Sequence, residues 1–253
     1  MLGDERISHA YAKNAEFWIT IIRDRLDPYQ VELTDPAVLD LIGDPTGLVI
    51  LDAGCGEGHL ARRLAAAGGR HIHGVDTCEE LIAAARAHPE HRPESASSHH
   101  ADVAALPLAD DSVDLVVANR LPNGISKPKK RFREFARVLK PSGRLILLGM
   151  HPCFYVARAE RNAAGVGKFS VDDYFGGRTV EQRFHVAGRV SPAPSVQQLY
   201  SLEAYVGVIT AAGFVITQLR EPHPPDQQRR ENPWWDENFV RPLFVLLECV
   251  PRR

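Results

Sequence analysis

A glycine-rich segment, Gly54-Cys55-Gly56-Glu57-Gly58, follows the apolar run 48–51. A short apolar run is typical of a buried strand, and closely spaced glycines allow a sharp turn and the close approach of a ligand. A dinucleotide fingerprint reads GxGxxG, but here the third glycine comes one place early and His59 stands where it is expected. No Gly-Lys-Ser/Thr follows, which excludes a Walker phosphate loop.

Two carboxylates, Asp52 and Glu57, flank this loop. Beside a pyrophosphate they would repel the ligand, whereas they attract a sulfonium or an α-ammonium group. The charges therefore predict a ligand that carries positive charge near the glycines.

The elements that position the loop alternate between strands and helices. Strands are predicted at 48–51, 71–75, 97–101, 114–118 and 144–150. Thr77 and Glu80 form a capping box that predicts the start of a helix after the second strand. Such alternation favours a parallel sheet with helices on both faces.

The two ends of the chain continue this organisation. Residues 1–47 read as helical, and Lys140–Gly143 reads as a turn before the fifth strand. After 151–199 a helix is predicted from Leu202, and Gly213 ends it. The closing strands are predicted at 214–220 and 243–250.

Four segments resemble, in order, the motifs of class I S-adenosylmethionine (SAM)-dependent methyltransferases: Val49–Gly58 (VILDAGCGEG), Asp76, 101–114 and 138–145. The resemblance implies that Asp76 binds the ribose hydroxyls and that Asp102 and Val103 meet the adenine. It implies SAM as the cofactor and S-adenosylhomocysteine (SAH) as the product. The cofactor-binding residues expected from it are Tyr11, Asp52, Ala53, Gly54, Gly56, Asp76, Thr77, Asp102, Val103 and Asn119. Asp102 could instead be a helix cap, and Thr77 is primarily a helix cap.

The resemblance also implies the architecture. We expect an α/β, Rossmann-like, seven-stranded, mostly parallel sheet with helices on both faces and an antiparallel last hairpin. A single domain would span 1–253, with an N-terminal helical lid over about 1–45. An aromatic substrate cap would occupy about 151–199, inserted after the fifth strand.

Three residues are candidates for catalysis at the strand-end rim. His151 follows the fifth strand and titrates near neutral pH, which suits a general base; alternatively it only orients the loop through a hydrogen bond. Asn119 follows the fourth strand, and Tyr155 lies near His151. Asn119 lacks the Asn/Asp-Pro-Pro-Tyr/Phe sequence of enzymes that methylate nucleic-acid amino groups, which argues against that activity.

The acceptor pocket is expected mainly in the aromatic segment 151–199, although some of its rings must pack a small core of their own. The candidate substrate-binding residues are Trp18, His151, Phe154, Tyr155, Tyr174, Phe184, His185 and Tyr200. This predicts a small-molecule acceptor.

Composition limits the possible partners. The 30 Lys and Arg residues against 32 Asp and Glu give a net charge of −2, which does not indicate a nucleic-acid or membrane partner. The basic run at 127–133 is expected to be a solvated helix start. The histidines at 88, 91, 99 and 100 match no familiar ligand spacing, so no metal is expected. The polar start and four scattered cysteines predict a cytoplasmic protein with reduced thiols.

The expected function is SAM-dependent methylation of an O or N atom of a small molecule in specialised metabolism, such as antibiotic biosynthesis, by a monomer or homodimer. Two alternatives stay open: a tRNA or protein methyltransferase, and a methyltransferase fold retained as a binding module or as a cyclase that transfers no methyl group.

Overall fold

The computed structural model describes residues 2–121, 128–154, 158–161, 167–170, 174–175 and 178–252. Residues 2–42 are mainly helical, as predicted. They form α1 (Leu2–Lys13), α2 (Ala15–Arg23), a π-helix (Tyr29–Thr34) and α3 (Asp35–Ile42). The later helices are α4 (His59–Ala66), α5 (Glu79–Arg86), α6 (Pro128–Val138), α7 (Leu202–Ala211), α8 (Asp226–Glu231) and α9 (Trp234–Asn238). None of the helices in these described ranges is long and apolar enough to cross a membrane.

The strands form one large sheet and three small ones. They are β1 (Val49–Ala53), β2 (His71–Asp76), β3 (Ala96–His100), β4 (Val113–Asn119), β5 (Leu139–Met150), β6 (Arg158–Arg161), β7 (Gly167–Ser170), β8 (Arg178–Gln182), β9 (His185–Val186), β10 (Arg189–Val190), β11 (Ser195–Leu199), β12 (Phe214–Arg220) and β13 (Phe244–Pro251). The large sheet has the order β12-β13-β5-β4-β1-β2-β3. β13 pairs antiparallel with both neighbours, and the other pairs are parallel. This confirms the predicted seven-stranded, mostly parallel sheet.

The core lies on both faces of this sheet. Every residue of β1 is buried, because Leu51 packs with Phe132 and Phe135 on one face while Ile50 packs with Leu64 on the other. A strand covered on both faces reads as a continuous apolar run, which is why β1 was recognisable from the sequence. The carboxyl ends of β1, β2 and β4 are thereby held side by side at one edge.

Two predicted boundaries are wrong. Cys78, not Thr77, is the N-cap of α5, and it makes no side-chain capping bond. The Asp76 carboxylate already accepts the N–H of Cys78, so the turn is held from the strand end and not from Thr77. β5 begins at Leu139 and not at 144, because Leu139 pairs with Val113 and the four residues 140–143 bulge out before pairing resumes at Arg144.

The segment after β5 folds over the N-terminal helices. Its described part forms the pairs β6–β7, β8–β11 and β9–β10. Ile7 and Ala10 of α1 pack against Val196 of β11. The buried side chain of Asn14 donates to the carbonyl oxygen of Ala193 at 3.0 Å and accepts its N–H at 2.8 Å. These contacts place the two segments on the same side of the glycine loop.

Candidate active site

A cleft opens where β1, β2 and β4 end, below α1, α2 and the segment that follows β5. Nine residues that the sequence predicted for the site line it: Tyr11, Trp18, Asp52, Gly54, Gly56, Asp76, Thr77, Asn119 and Phe184. Five of these come from the loops that follow β1 and β2 or from the ends of those strands. The cleft therefore lies at the edge where parallel sheets bind ligands.

The glycine loop needs its glycines. Gly54 has a φ of +78°, and a Cβ there would lie 2.6 Å from Cδ1 of Leu121. Gly56 also has a positive φ, of +55°. The N–H groups of Gly54 and Cys55 donate to the Val75 carbonyl oxygen at 2.7 and 3.1 Å, which ties the loop to β2. A left-handed backbone in this narrow space excludes larger side chains.

Asp76 fixes the far side of the loop. Its Oδ2 accepts the N–H of Gly56 and its Oδ1 accepts the N–H of Cys78, both at 2.9 Å. Burial raises the pKa of this carboxyl, and the backbone hydrogen bonds oppose that shift. Each carboxylate oxygen has a further lone pair, so Asp76 can still accept a ligand hydroxyl.

Asp52 is a buried carboxylate at the base of the cleft. Its Oδ2 has no hydrogen-bond partner among the described residues. Burial, together with the negative charges of Asp76 and Asp35, raises the pKa of this group to about 7. A positively charged ligand group would relieve both causes, since it supplies the missing partner and opposes the neighbouring negative charges. The residues present thus fit the α-ammonium or sulfonium of SAM.

The second carboxylate beside the glycine loop, Glu57, differs from Asp52 because it is ion-paired within the protein. Its carboxylate binds Nε of Arg23 at 3.0 Å and a terminal nitrogen of Arg62 at 2.6 Å. Glu57 lines the cleft but is already paired with two arginines, so its attraction for the ligand stays a prediction.

Three further polar atoms of the cleft are buried without a partner in the described structure. They are Trp18 Nε1, Asn119 Oδ1 and Gln197 Oε1. Buried polar groups in proteins are normally satisfied, so a set of four such atoms around one cleft, Asp52 Oδ2 included, indicates a polar ligand.

Three predicted cofactor residues are not among those that line the cleft. Ala53 and Val103 are buried in the core. Asp102 accepts the N–H of Ala104 at 2.8 Å within a turn, and no described helix begins there, so the alternative of a helix cap is wrong. The structure does not bring these side chains to the cleft, because local hydrogen bonding and packing hold them.

A second cavity adjoins the cleft. Trp18, Arg120, Met150 and Phe184 line both spaces and form the boundary between them. Beyond it lie Tyr29, Trp234 and Phe244, so the far wall is largely aromatic. Arg120 has a φ of +58°, pairs with the buried Asp27 at 2.6 Å and lies 5.5 Å from the Phe244 ring centre. A strained, ion-paired residue between two cavities is typical of a functional site.

Only some of the predicted acceptor residues face these spaces. Trp18 and Phe184 do, with ring centres 5.1 Å apart, and His185 lines the second cavity. Phe154, Tyr174 and Tyr200 are not among the described lining residues of either space. The Tyr174 hydroxyl instead accepts the N–H of Leu202 at 2.8 Å, at the start of α7. Tyr155 lies outside the described residues.

His151 is buried, and it is not among the residues that line the two spaces. Its Nδ1 accepts the N–H of Cys153 at 3.1 Å, and its Nε2 lies 3.0 Å from Glu221 Oε1. Burial lowers the pKa of the imidazole, and Glu221 opposes that shift. Since both nitrogens are engaged within the protein, this geometry favours the loop-orienting alternative over the general base.

Several lining residues were not predicted: Gln30, His59, Arg120, Gln197 and Trp234. Two had a signal in the sequence. His59 occupies the place of the missing third glycine, and Trp234 belongs to an unusual Trp-Trp pair. Gln30 and Gln197 had none, because glutamine is mostly a surface residue and neither belongs to a motif.

A search of the described residues finds no group of three or more His, Cys, Asp or Glu arranged to hold a metal ion. The predicted surface character of the basic run also needs revision. Arg131 is buried and lies over the Phe132 ring, at 4.9 Å from its centre, whereas Lys129, Lys130 and Arg133 are exposed.

The fold and the cleft define a Rossmann-like protein with a SAM-type site. Residues 51–147 match the family model described as a methyltransferase domain. A SAM-dependent methyltransferase from Mesorhizobium loti superposes with a TM-score of 0.70 and 25% identity, over 85% of this chain and 95% of that one. Residues 51–147 therefore form a methyltransferase domain, and the fold around them is that of the class I SAM-dependent methyltransferases, whose cofactor is SAM.

Two curated relatives match shorter segments. An uncharacterized methyltransferase of Mycobacterium leprae (strain Br4923) is 34% identical over 103 residues, which are 41% of this chain and 37% of that protein. Malonyl-[acyl-carrier protein] O-methyltransferase of Pectobacterium atrosepticum is 33% identical over 106 residues, 42% of this chain and 40% of that protein. The matched segments thus span less than half the length of these relatives.

Proposed function

We propose that this chain transfers the methyl group of SAM to an O or N atom of a small organic acceptor bound in the second cavity. The observation that carries the proposal is the shared boundary of the two cavities at Trp18, Arg120, Met150 and Phe184. A ligand in the cleft and a ligand in the second cavity would meet there, which suits a reaction that moves one group between two bound molecules.

The proposed binding of SAM is supported by residues at the carboxyl ends of β1 and β2. Asp52 would hold the α-ammonium group, Asp76 the ribose hydroxyls, and the glycine loop would allow the close approach of both. When bound, SAM supplies a methyl group on a positively charged sulfur that is a good leaving group. The protein's part is to hold the acceptor in line, which contributes up to about 7–11 kcal/mol in favourable cases.

The proposed binding of the acceptor is supported by the aromatic lining of the second cavity. Trp18, Tyr29, Phe184 and Trp234 offer flat apolar faces, and Arg120 and His185 add polar groups at the boundary and rim. This chemistry suits a small, partly aromatic molecule, and we propose specialised metabolism as its source. The polar and apolar mixture is typical of small-molecule pockets. Residues 1–45 would act as the lid and 151–199 as the acceptor cap.

The tRNA or protein alternative has less support. The exposed part of the basic run is confined to Lys129, Lys130 and Arg133 among the described residues, because Arg131 points into the core. A nucleic-acid surface requires a broader set of phosphate-binding cations.

The test has two parts. Calorimetry should detect binding of SAM and of SAH to the full chain, and an assay of SAH release should identify an acceptor from panels of phenols, alcohols and amines. Trp234→Ala should raise the KM of that acceptor and leave SAM affinity unchanged. Release of SAH with tRNA or protein but with no small molecule would overturn the proposal, as would SAM binding without any methyl transfer.

A further inference from the structure

Asp35, the first residue of α3, is buried beneath the cleft and organises three side chains from other elements. Its Oδ2 accepts from Nε2 of His59 at 2.6 Å and from a terminal nitrogen of Arg63 at 3.0 Å. Its Oδ1 lies 3.5 Å from Nδ2 of Asn119, a long hydrogen bond. One carboxylate oxygen thus accepts hydrogen bonds from two side chains of α4, and the other accepts one from a side chain at the end of β4.

The contact with Asp35 fixes which way the Asn119 amide faces. A carboxylate only accepts hydrogen bonds, so the amide must turn its nitrogen toward Asp35 and its oxygen away. That oxygen, Asn119 Oδ1, is buried, has no partner among the described residues, and belongs to a residue that lines the cleft. The next residue, Arg120, stands at the boundary of the two cavities.

We propose that Asp35 is a positioning residue that holds the Asn119 carbonyl oxygen at the transfer point, where it accepts a hydrogen bond from the acceptor. The inference rests on the function proposed above and narrows its substrate class. The atom that receives the methyl group carries a hydrogen, as an amine or a hydroxyl does, and is not a carboxylate. Such an acceptor would satisfy the buried oxygen, whereas a carboxylate would face it with a second acceptor.

Replacing Asp35 by asparagine makes a sharp test because it should reverse the Asn119 amide. Arg63 and His59 keep the amide oxygen of the new side chain on their side, since arginine only donates. The new NH2 group would then face Asn119, whose oxygen must turn toward it. An N–H group would enter the cleft where the wild type has an oxygen.

Two cofactor analogues can detect the reversal of the Asn119 amide in the absence of an acceptor. Sinefungin carries an amine in place of the sulfur-bound methyl group, and SAH carries nothing there. In the wild type, sinefungin should bind more tightly than SAH because its ammonium donates to Asn119 Oδ1. Asp35→Asn should lower this preference about tenfold or more, the scale of a hydrogen bond to a charged group. Its affinity for SAH should stay near that of the wild type.

The controls separate positioning from general damage. Asp40→Asn makes the same change on α3, where the carboxylate pairs with Arg220 at the surface, and should leave the preference intact. Asn119→Ala removes the accepting oxygen and should also lower the preference, and the double variant should lose no more than Asn119→Ala alone, because Asp35 acts through Asn119. The Asn119→Ala arm also serves if Asp35→Asn does not fold.

The outcomes are distinct. An Asp35→Asn protein that binds SAH and keeps the wild-type preference for sinefungin overturns the inference and leaves the proposed function standing. Additive losses in the double variant also overturn it. Failure of the wild type to bind either analogue overturns the proposed function and this inference with it.

Discussion

The side chain of Asn14 and the backbone of Ala193 form a reciprocal pair of hydrogen bonds, 3.0 and 2.8 Å long, across 179 positions of sequence. Asn14 is fully buried between α1 and α2, and Ala193 precedes β11. The pair fastens the segment after β5 to the N-terminal helices, and both segments line the cleft.

Asn14→Ala should therefore loosen this connection. Loss of two buried hydrogen bonds leaves the Ala193 N–H and carbonyl oxygen unsatisfied, at a cost of about 1–3 kcal/mol in the free energy of unfolding. SAH should dissociate faster, because the cover over the cleft opens more often. Denaturant titration and stopped-flow dissociation measure the two effects. Asn14→Asp keeps the bond from the Ala193 N–H and should give an intermediate result; an unchanged dissociation rate in Asn14→Ala would show that this cover does not control release.

Binding of SAM should depend on pH through Asp52. The pKa of this carboxyl, raised to about 7 by burial, means that the free protein must lose a proton to hold the cationic ligand. Affinity should rise about tenfold per pH unit below that value and level off above it. Calorimetry in buffers of different ionisation enthalpy measures the released proton. Asp52→Asn should bind more weakly and lose the pH dependence, and a wild-type affinity that is flat from pH 5.5 to 8 would contradict this role.

The raised pKa of Asp52 also affects the stability of the free protein, and here the effect of rising pH is unfavourable. Because the pKa of Asp52 is higher in the folded chain than its ordinary 3.8, the folded state holds the proton more strongly than the unfolded state. This contribution is present at low pH and is lost as pH rises from about 4 through about 7. Asp52→Asn should remove that fall, which urea titrations at several pH values can measure against the wild type.

Asp76→Asn should weaken both the loop and the cofactor. An amide can accept only one of the two N–H groups that the carboxylate accepts, from Gly56 and Cys78. We expect SAM affinity to fall about tenfold or more and the melting temperature to fall as well. Glu80→Gln is a matched control nearby, since that side chain is exposed and accepts a hydrogen bond from the Cys78 thiol. Unchanged SAM affinity in folded Asp76→Asn would remove Asp76 from the cofactor site.

His151→Ala should act on stability and not on the cofactor. The imidazole bridges Cys153 and Glu221, so its loss should lower the melting temperature while SAH affinity stays within about twofold of the wild type. Burial holds the imidazole neutral by lowering its pKa, so this contribution is present at neutral pH and is lost as pH falls below the ordinary value near 6.5. If a hydroxyl acceptor is found and His151→Ala alone abolishes the pH-dependent limb of the rate, the general-base hypothesis regains support.

Phe184→Ala and Tyr174→Phe should separate two aromatic residues that the sequence treats alike. Phe184 lies at the boundary of the two cavities, so its loss should raise the acceptor KM. Tyr174→Phe removes only the hydroxyl that accepts the Leu202 N–H and should lower thermal stability with no change in KM. Steady-state kinetics and thermal unfolding of the two proteins measure this, and equal KM effects would mean that Tyr174 also contacts the acceptor.

Local sequence signals predicted the sheet and the cofactor loop. β12 has the predicted bounds, 214–220, because Gly213 ends the preceding helix and an alternating pattern follows it. The glycine loop was recognisable because its positive φ angles require glycine, whatever the rest of the chain does.

The second cavity could not be predicted in the same way. It brings together Tyr29, Phe184 and Trp234, which are far apart in sequence and share no periodicity. His151 lies at the expected strand end. Its ring is bonded to Glu221, 70 positions away, and does not line either cavity. Pairings of this range are set by tertiary packing, which strand and helix patterns do not encode.

The strand-end residues of the cleft and the far wall of the second cavity come from different stretches of the chain. Asp52, Gly56, Asp76 and Asn119 fall within 51–147, the part that matches the family model, whereas 182–187 and the Trp234 region fall outside it. Substitutions in those outer stretches can reshape the far wall of the second cavity without changing the glycine loop or Asp76.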